Sequence, residues 1–394
     1  MAGKNTPQER RSFLASELRR IGAGWAIISH PKHIFYLTGI PTNLNAWYSI
    51  MKGPRSTSAL AVDSEGRAAL LAGKSELAGL RAGMTSDPTG GLELGVTEYV
   101  DYSLSGEMVT YGKRFAAEMN AWLGTLGPKF GSVAIEEWHL ADAYRNALLS
   151  AHPEVRVLGI SEFILGMRNS KGMDEVESLE KATEMVDRSY GAAKGAAKPG
   201  KLELDVYSEV NSWGFRKYGP FGFVVGDYAS GVRSLAMGGI PTRRKLKRGD
   251  TIILDLQASY NNYWADLCRT FVIGRKPNKA QENALSVLKR AKAAAEETLA
   301  PGAKGKEVYE AVCSVLQKAG HDRLPHHAGH GIGLDDQEPP WFIPGEERSL
   351  EEGSVCVLEP GLYRKDSGGM RIEDQYVITS RGSRRLSRFP LALY

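Results

Sequence analysis

Five residues offer chemistry that the rest of the chain does not: Asp255, Asp266, His330, Glu359 and Glu373. They lie in the segments ILDLQASYNNYWADLCRTF, HHAGHGIGL, VLEPGLY and MRIEDQ. These stretches are apolar or glycine-rich and read as buried strands, where a merely solvated carboxylate does not belong. Four carboxylates and an imidazole converging on one place repel one another unless cations sit between them. An oxygen-rich set with a single His suits divalent first-row ions, so the first expectation is a pair of metals drawn from Mn, Fe, Co or Zn.

The spacing carries geometry of its own. Between Asp255 and Asp266 stands Asn261-Asn262, a dipeptide that tolerates the positive φ of a two-residue hairpin turn. With those two as the loop, Tyr260 opposes Tyr263 and Gln257 opposes Asp266, while Asp255 shares a face with Gln257. Asp255 and Asp266 are then diagonal neighbours about 7–8 Å apart, able to hold two ions at the ~3.5–4 Å separation of dinuclear hydrolases. Glu359 and Glu373 flank a second turn, Lys365-Asp366-Ser367-Gly368-Gly369, whose register the sequence leaves open. Cys268 shares the Asp266 face; a packed, reduced thiol is the expectation and ligation the alternative. Arg371 shares the face of Glu373, from which its guanidinium fork can orient a ligand carboxylate or the substrate.

The Asp255/Asp266 spacing, GHGIGL around His330, EPG at Glu359 and RIED at Glu373 together resemble the pita-bread metallopeptidase family. That family includes methionine aminopeptidase, aminopeptidase P and prolidase, with creatinase as a non-peptidase relative. HPKHIFYLTGI (30–40) resembles its N-terminal domain signature, and NSKGMDEVESLEKA (169–182) the start of its catalytic domain. The resemblance implies an α+β protein: a smaller creatinase-like α/β domain over 1–168, then a pita-bread catalytic domain over 169–394. It implies that the five residues are dinuclear metal ligands, that Glu359 also takes a proton from the attacking water, and that His326 steadies the tetrahedral intermediate. It further implies a homodimer, with Trp47, Tyr48 and Arg55 on a loop reaching the neighbouring subunit's site to bind substrate. His30 and His33, which flank the signature, read as packed or capping residues.

The chain also departs from the proline-specific pattern. Where those peptidases carry His in a GLxxHEPP run, this sequence has Gln337, and where they carry His before a Gly-x-Pro turn it has Gly238. Gln donates a hydrogen bond but carries no proton or charge. Asp336 stands where dimethylsulfoniopropionate lyases of this fold place a base; it reads here as a substrate contact, with a surface loop residue or a lyase base as alternatives. The leading function is a hydrolase of a small amide or short peptide, of Xaa-Pro dipeptidase or aminopeptidase P type. The alternative is a non-peptidase on the same scaffold, a C–N hydrolase of creatinase or ectoine hydrolase type, or a lyase. A catalytically silent relative predicts lost ligands, and all five are present.

The elements that must position these residues follow from periodicity. Helices are expected near 7–22 and 114–127, with strands at 25–28, 58–62, 68–71 and 133–136, an alternation that suggests an α/β unit. Beyond Met167 the pattern changes to long helices near 174–196, 203–217, 280–299 and 305–319, with the motif-bearing strands between and after them. A length of 394 residues favours two domains. Fifty Lys and Arg against 46 Asp and Glu give a net charge of +4, which argues against a nucleic-acid surface. Three scattered cysteines with no CxxC pair argue against a disulfide framework. No apolar run approaches a membrane span or a signal-peptide core, so the expected compartment is the cytoplasm.

Overall fold

The computed structural model describes residues 6–41, 58–83, 91–100, 111–126, 131–140 and 142–393. The described residues up to Met167 and those from Arg168 onward form two compact units.

The first unit opens with α1 (Pro7–Ile21), started by a capping box in which Glu9 N donates to Thr6 Oγ1 and Thr6 N donates to Glu9 Oε2. After β1 (Trp25–Ile28) come α2 (Pro31–Thr38), β2 (Ala59–Asp63), β3 (Ala68–Gly73), α3 (Lys74–Gly83) and β4 (Val96–Tyr99). Next are α4 (Tyr111–Thr125), β5 (Ser132–Ile135), α5 (Asp142–Ala151), β6 (Arg156–Gly159) and α6 (Ser161–Asn169). The strands form one mixed sheet in the order β4-β3-β2-β1-β5-β6. β2 and β3 are buried along their whole length, which is why they read as continuous apolar runs. Phe115, Met119, Trp122 and Leu123 of α4 pack on Ile27, Leu71, Val133 and Ile135. His30 caps α2 through its Nδ1, which accepts from Lys32 N at 3.3 Å. His33 is buried against Glu136, whose other oxygen accepts from Ser29 N and His30 N at 2.6 and 2.8 Å.

The second unit begins with α7 (Met173–Ala196) and α8 (Glu203–Tyr218), followed by β7 (Val225–Ser230), β8 (Thr251–Tyr260) and β9 (Tyr263–Val272). These three strands make an antiparallel sheet with β8 in the middle. Tyr190 of α7 donates its hydroxyl to Leu254 O at 3.1 Å, tying the helix to β8. Helices α9 (Lys279–Glu296) and α10 (Gly305–Lys318) precede β10 (His330–Gly331), β11 (Glu338–Trp341), β12 (Val355–Leu358), β13 (Gly361–Arg364), β14 (Gly368–Arg371), β15 (Asp374–Thr379) and β16 (Gly382–Arg385). A second sheet runs β11-β10-β12-β15-β16, and β13 with β14 forms the separate hairpin expected at Lys365–Gly369. The apolar faces of α9 and α10 cover this sheet, with Leu288, Val312 and Leu316 packed among Cys356, Leu358 and Ile378.

The register of the first hairpin agrees with the sequence reading: Tyr260 pairs with Tyr263 and Gln257 with Asp266. Asn261 and Asn262 take φ of 49° and 68°, the left-handed values that such a turn requires. The long helices lie within a few residues of their expected bounds. No helix among the described residues is long and apolar enough to cross a membrane.

Candidate active site

The two sheets and the β13–β14 hairpin bring the five singled-out residues together. Asp255 and Asp266 come from facing strands of the first hairpin, and Gln257 Nε2 donates to Asp266 Oδ2 at 2.6 Å. His330 opens β10, Glu359 follows β12, and Glu373 follows β14, with its backbone N donating to Cys268 O at 3.0 Å. One ligand atom each from Asp266, His330 and Glu373 lies within 4.8 Å of the others, and all three residues are buried. His330 Nε2 stands 3.5 Å from Glu359 Oε1. Its Nδ1 is 2.9 Å from Gly331 O, and a carbonyl only accepts, so Nδ1 carries the proton and Nε2 presents its lone pair to the carboxylates.

Gly329 explains how the imidazole comes so close. Its φ is 151°, and a Cβ there would fall 1.9 Å from Val357 O, so only glycine lets the backbone before His330 lie against β12.

Electrostatics mark the cluster as incomplete without cations. Burial, and next the charge of Asp255, push the Asp266 carboxyl well above its ordinary range; burial and then Asp266 and Asp255 do the same to Glu373. Burial lowers His330. Glu359 is the exception: burial opposes its ionisation, but His327, His330 and Arg371 outweigh it and hold the carboxyl at about 2. Asp255 Oδ1, Asp266 Oδ1, His330 Nε2 and both Glu373 oxygens are buried with no hydrogen-bond partner. Buried polar atoms are rarely left so, and these converge on one place. Oxygen donors with one imidazole nitrogen fit divalent first-row ions, so Asp255, Asp266, His330, Glu359 and Glu373 suit the metals that the chemistry asks for.

Around them stand groups both expected and unexpected. Arg371 donates through Nη2 to Asp255 Oδ2 and, at 3.2 Å, to Asp227 Oδ2, while its Nη1 reaches Met237 O at 2.7 Å. His326 Nδ1 donates to His327 O at 2.7 Å, leaving Nε2 to accept from the Tyr363 hydroxyl at 2.8 Å. Burial lowers the His326 pKa, which keeps the ring neutral for that pairing. Cys268 is fully buried opposite Asp255, its Sγ 3.5 Å from Arg371 O, and burial pushes its thiol up. Asp336 and Gln337 are exposed, and among the described residues neither is hydrogen-bonded or ion-paired to the five. Their loop is held from below, where Glu338 is buried between Arg168 and Lys171, with Lys171 Nζ at 2.7 Å. Trp47, Tyr48 and Arg55 lie outside the described residues.

Three participants are not foreseen from the sequence. His327 Nδ1 stands 2.9 Å from Glu359 Oε1, and against the cost of burial this contact raises its pKa. Tyr363 links His326 to Arg371, its hydroxyl 3.4 Å from Nη1. Asp227 of β7 pairs directly with Asp255. Alternation along β13 could have flagged Tyr363, and the run His326-His327 could have flagged His327; nothing in the sequence marks Asp227.

Fold and site together define a two-domain α+β protein with a carboxylate-rich centre for divalent metals. The family description "Metallopeptidase family M24" matches residues 177–380, and "Creatinase/Prolidase N-terminal domain" matches residues 10–170. The chain belongs to metallopeptidase family M24, the pita-bread family its motifs resemble. It is similar to an Xaa-Pro dipeptidase of Pyrococcus furiosus, 34% identical over 233 residues that cover 58% of this chain and 66% of that one. The match thus spans a little under two thirds of that relative's length. Among solved structures, the prolidase from Pyrococcus horikoshii OT3 aligns with a TM-score of 0.79 and 24% identity, over 98% of this chain and 100% of that one. An Xaa-Pro dipeptidase from Bacillus anthracis gives 0.81 and 20%, over 98% and 99%. At these identities the likeness speaks for the fold.

Proposed function

We propose that this chain is a dinuclear metal-dependent hydrolase that cleaves the amide bond before proline in dipeptides or short peptides. The observation that carries the reading is the convergence of Asp255, Asp266, His330, Glu359 and Glu373, each of which keeps at least one buried oxygen or nitrogen without a hydrogen-bond partner. When bound there, divalent ions supply Lewis acidity and lower the pKa of the attacking water. Glu359, ionised at neutral pH, accepts the proton of that water and passes it to the leaving nitrogen. Arg371 fixes the orientation of Asp255, and His326 steadies the tetrahedral intermediate once its ring proton leaves His327 O or the Tyr363 hydroxyl turns from Nε2. Asp336 and Gln337 contact substrate at the exposed rim.

The remaining assignments belong to the same reading. We assign two ions per chain, manganese first among Mn, Fe, Co and Zn, because oxygen donors dominate. A reducing cytoplasm suits three buried, unpaired thiols. A homodimer places Trp47, Tyr48 and Arg55 at the partner's substrate site. The test is a panel of metal-reconstituted protein against Xaa-Pro dipeptides, longer Xaa-Pro peptides, creatine, ectoine and dimethylsulfoniopropionate. Turnover of the first two classes alone supports the assignment; turnover confined to the last three overturns it. The non-peptidase reading has one observation in its favour, the carboxylate that fills the side-chain space at Gly238.

A further inference from the structure

A Cβ on Gly238 would lie 1.8 Å from Asp227 Oδ2. The position has no side chain, and the Asp227 carboxylate occupies the room one would take. Asp227 reaches that place from β7, directly across from Asp255. Its Oδ2 accepts from Arg371 Nη2 at 3.2 Å, and the same nitrogen also serves Asp255. Arg371 Nε is in turn 3.9 Å from Glu359 Oε2. One guanidinium is thus divided among three carboxylates, and Asp227 accepts besides from the backbone N–H of Gly239, while burial and then Asp255 push its carboxyl up. Unlike Asp266 and Glu373, Asp227 is not sealed in: its side chain keeps 32% of its exposure, against 14% for Asp255. Met237 and Ile240, on the segment that carries Gly238, expose 38% and 76% of their surface.

We propose that Asp227 is a specificity-determining residue that receives a protonated amine of the substrate. The inference rests on the hydrolase reading above and deepens it. An ionised carboxylate accepts hydrogen bonds and donates none, so whatever group it faces must bring protons. A substrate carboxylate at that point meets repulsion, and an amide N–H is tolerated. An ammonium is favoured, because two opposite charges at contact near a protein surface attract strongly. Gly238 is the other half of the arrangement, since any side chain there evicts the carboxylate.

The test is calorimetric binding to the metal-reconstituted full chain, with three probes that share a ring and differ in one arm. They are cyclopentanecarboxylate, cyclopentanecarboxamide and N-(2-aminoethyl)cyclopentanecarboxamide, carbocyclic counterparts of the proline ring that carry no ring ammonium. The native protein is expected to bind the aminoethyl amide about tenfold more tightly than the simple carboxamide, and the carboxylate most weakly. Asp227→Asn, which keeps the shape and removes the charge, is expected to bring the first two within about twofold. Gly238→Ala is expected to do the same by displacing the carboxylate. Metal content and melting temperature, measured on each variant, show whether the site is still assembled. Equal affinities in the native protein overturn the proposal, whether or not either variant folds, and so does a preference that survives in a folded Asp227→Asn protein. An intact amine preference in a native protein that cleaves no Xaa-Pro substrate would end the peptidase reading and leave the role of Asp227 standing.

Discussion

At the scale of single residues, the structure separates groups that hold charge from groups that trim specificity. Both Glu373 oxygens are buried and unpartnered, so Glu373→Gln replaces an oxygen donor by an NH₂ that cannot ligate. We expect metal content by elemental analysis to fall below two per chain and kcat/KM to drop by at least about 10²-fold, beyond what loss of a supporting residue costs. Gln337→His adds an imidazole at an exposed position and, if Gln337 contacts substrate as proposed, is expected to raise Xaa-Pro hydrolysis, since one oxyanion donor is worth about 10²–10³ in rate. An unchanged rate in that variant would remove Gln337 from the catalytic account. Gly238→His is not its equivalent, because Asp227 must first be displaced. That these five residues converge was legible because each lies in a short run of unusual composition. Asp227 was not, because its role arises from a strand pairing that no local pattern encodes, and Gly238 hinted only that something was missing.

At the scale of elements, the β8–β9 hairpin carries two of the five groups, and its turn sets their register. Asn262 holds φ of 68°, a conformation that costs a β-branched residue roughly 1–2 kcal/mol. Asn262→Val is therefore expected to lower unfolding free energy by about that amount in urea titrations, and to weaken metal retention. Asn262→Gly should leave both close to native. The loop bearing Asp336 and Gln337 depends on Glu338, whose ionised state is favoured, despite burial, by Arg168 and Lys171. Removing it by Glu338→Ala takes the buried carboxylate from Lys171 and leaves Arg168 to Asp335, a change worth about 3–5 kcal/mol and readable as a large fall in melting temperature. The first hairpin could be read from sequence because Asn-Asn admits few turns. The second could not, since Ser367-Gly368-Gly369 permits several registers; Gly361 pairs with Arg371 only because β14 docks beside Thr270, whose Oγ1 accepts from Arg371 N at 3.1 Å.

For the whole molecule, metal and fold are linked through protons. Burial, with neighbouring carboxylates behind it, raises Asp266 and Glu373 in the folded state. In the stripped protein, their contribution to stability is complete below the ordinary carboxylate pKa of about 4 and is lost as pH rises through the raised folded values. Metal requires the ionised forms, so its stabilisation grows over the same interval. Melting temperatures of stripped and loaded protein should diverge from acid to neutral pH, and a gap that narrows instead would contradict the ligand assignment. Light scattering should show a dimer, and a fully active monomer would remove the proposed contribution of Trp47, Tyr48 and Arg55 to a partner.

Arg371 gives the emptied centre a place-holder. Because its guanidinium already spans Asp227 and Asp255 and approaches Glu359, a permanent positive charge stays among the carboxylates after any ion has left. Protein stripped by a chelator is therefore expected to keep its fold and to take up metal again without a refolding step, as circular dichroism during reloading would show.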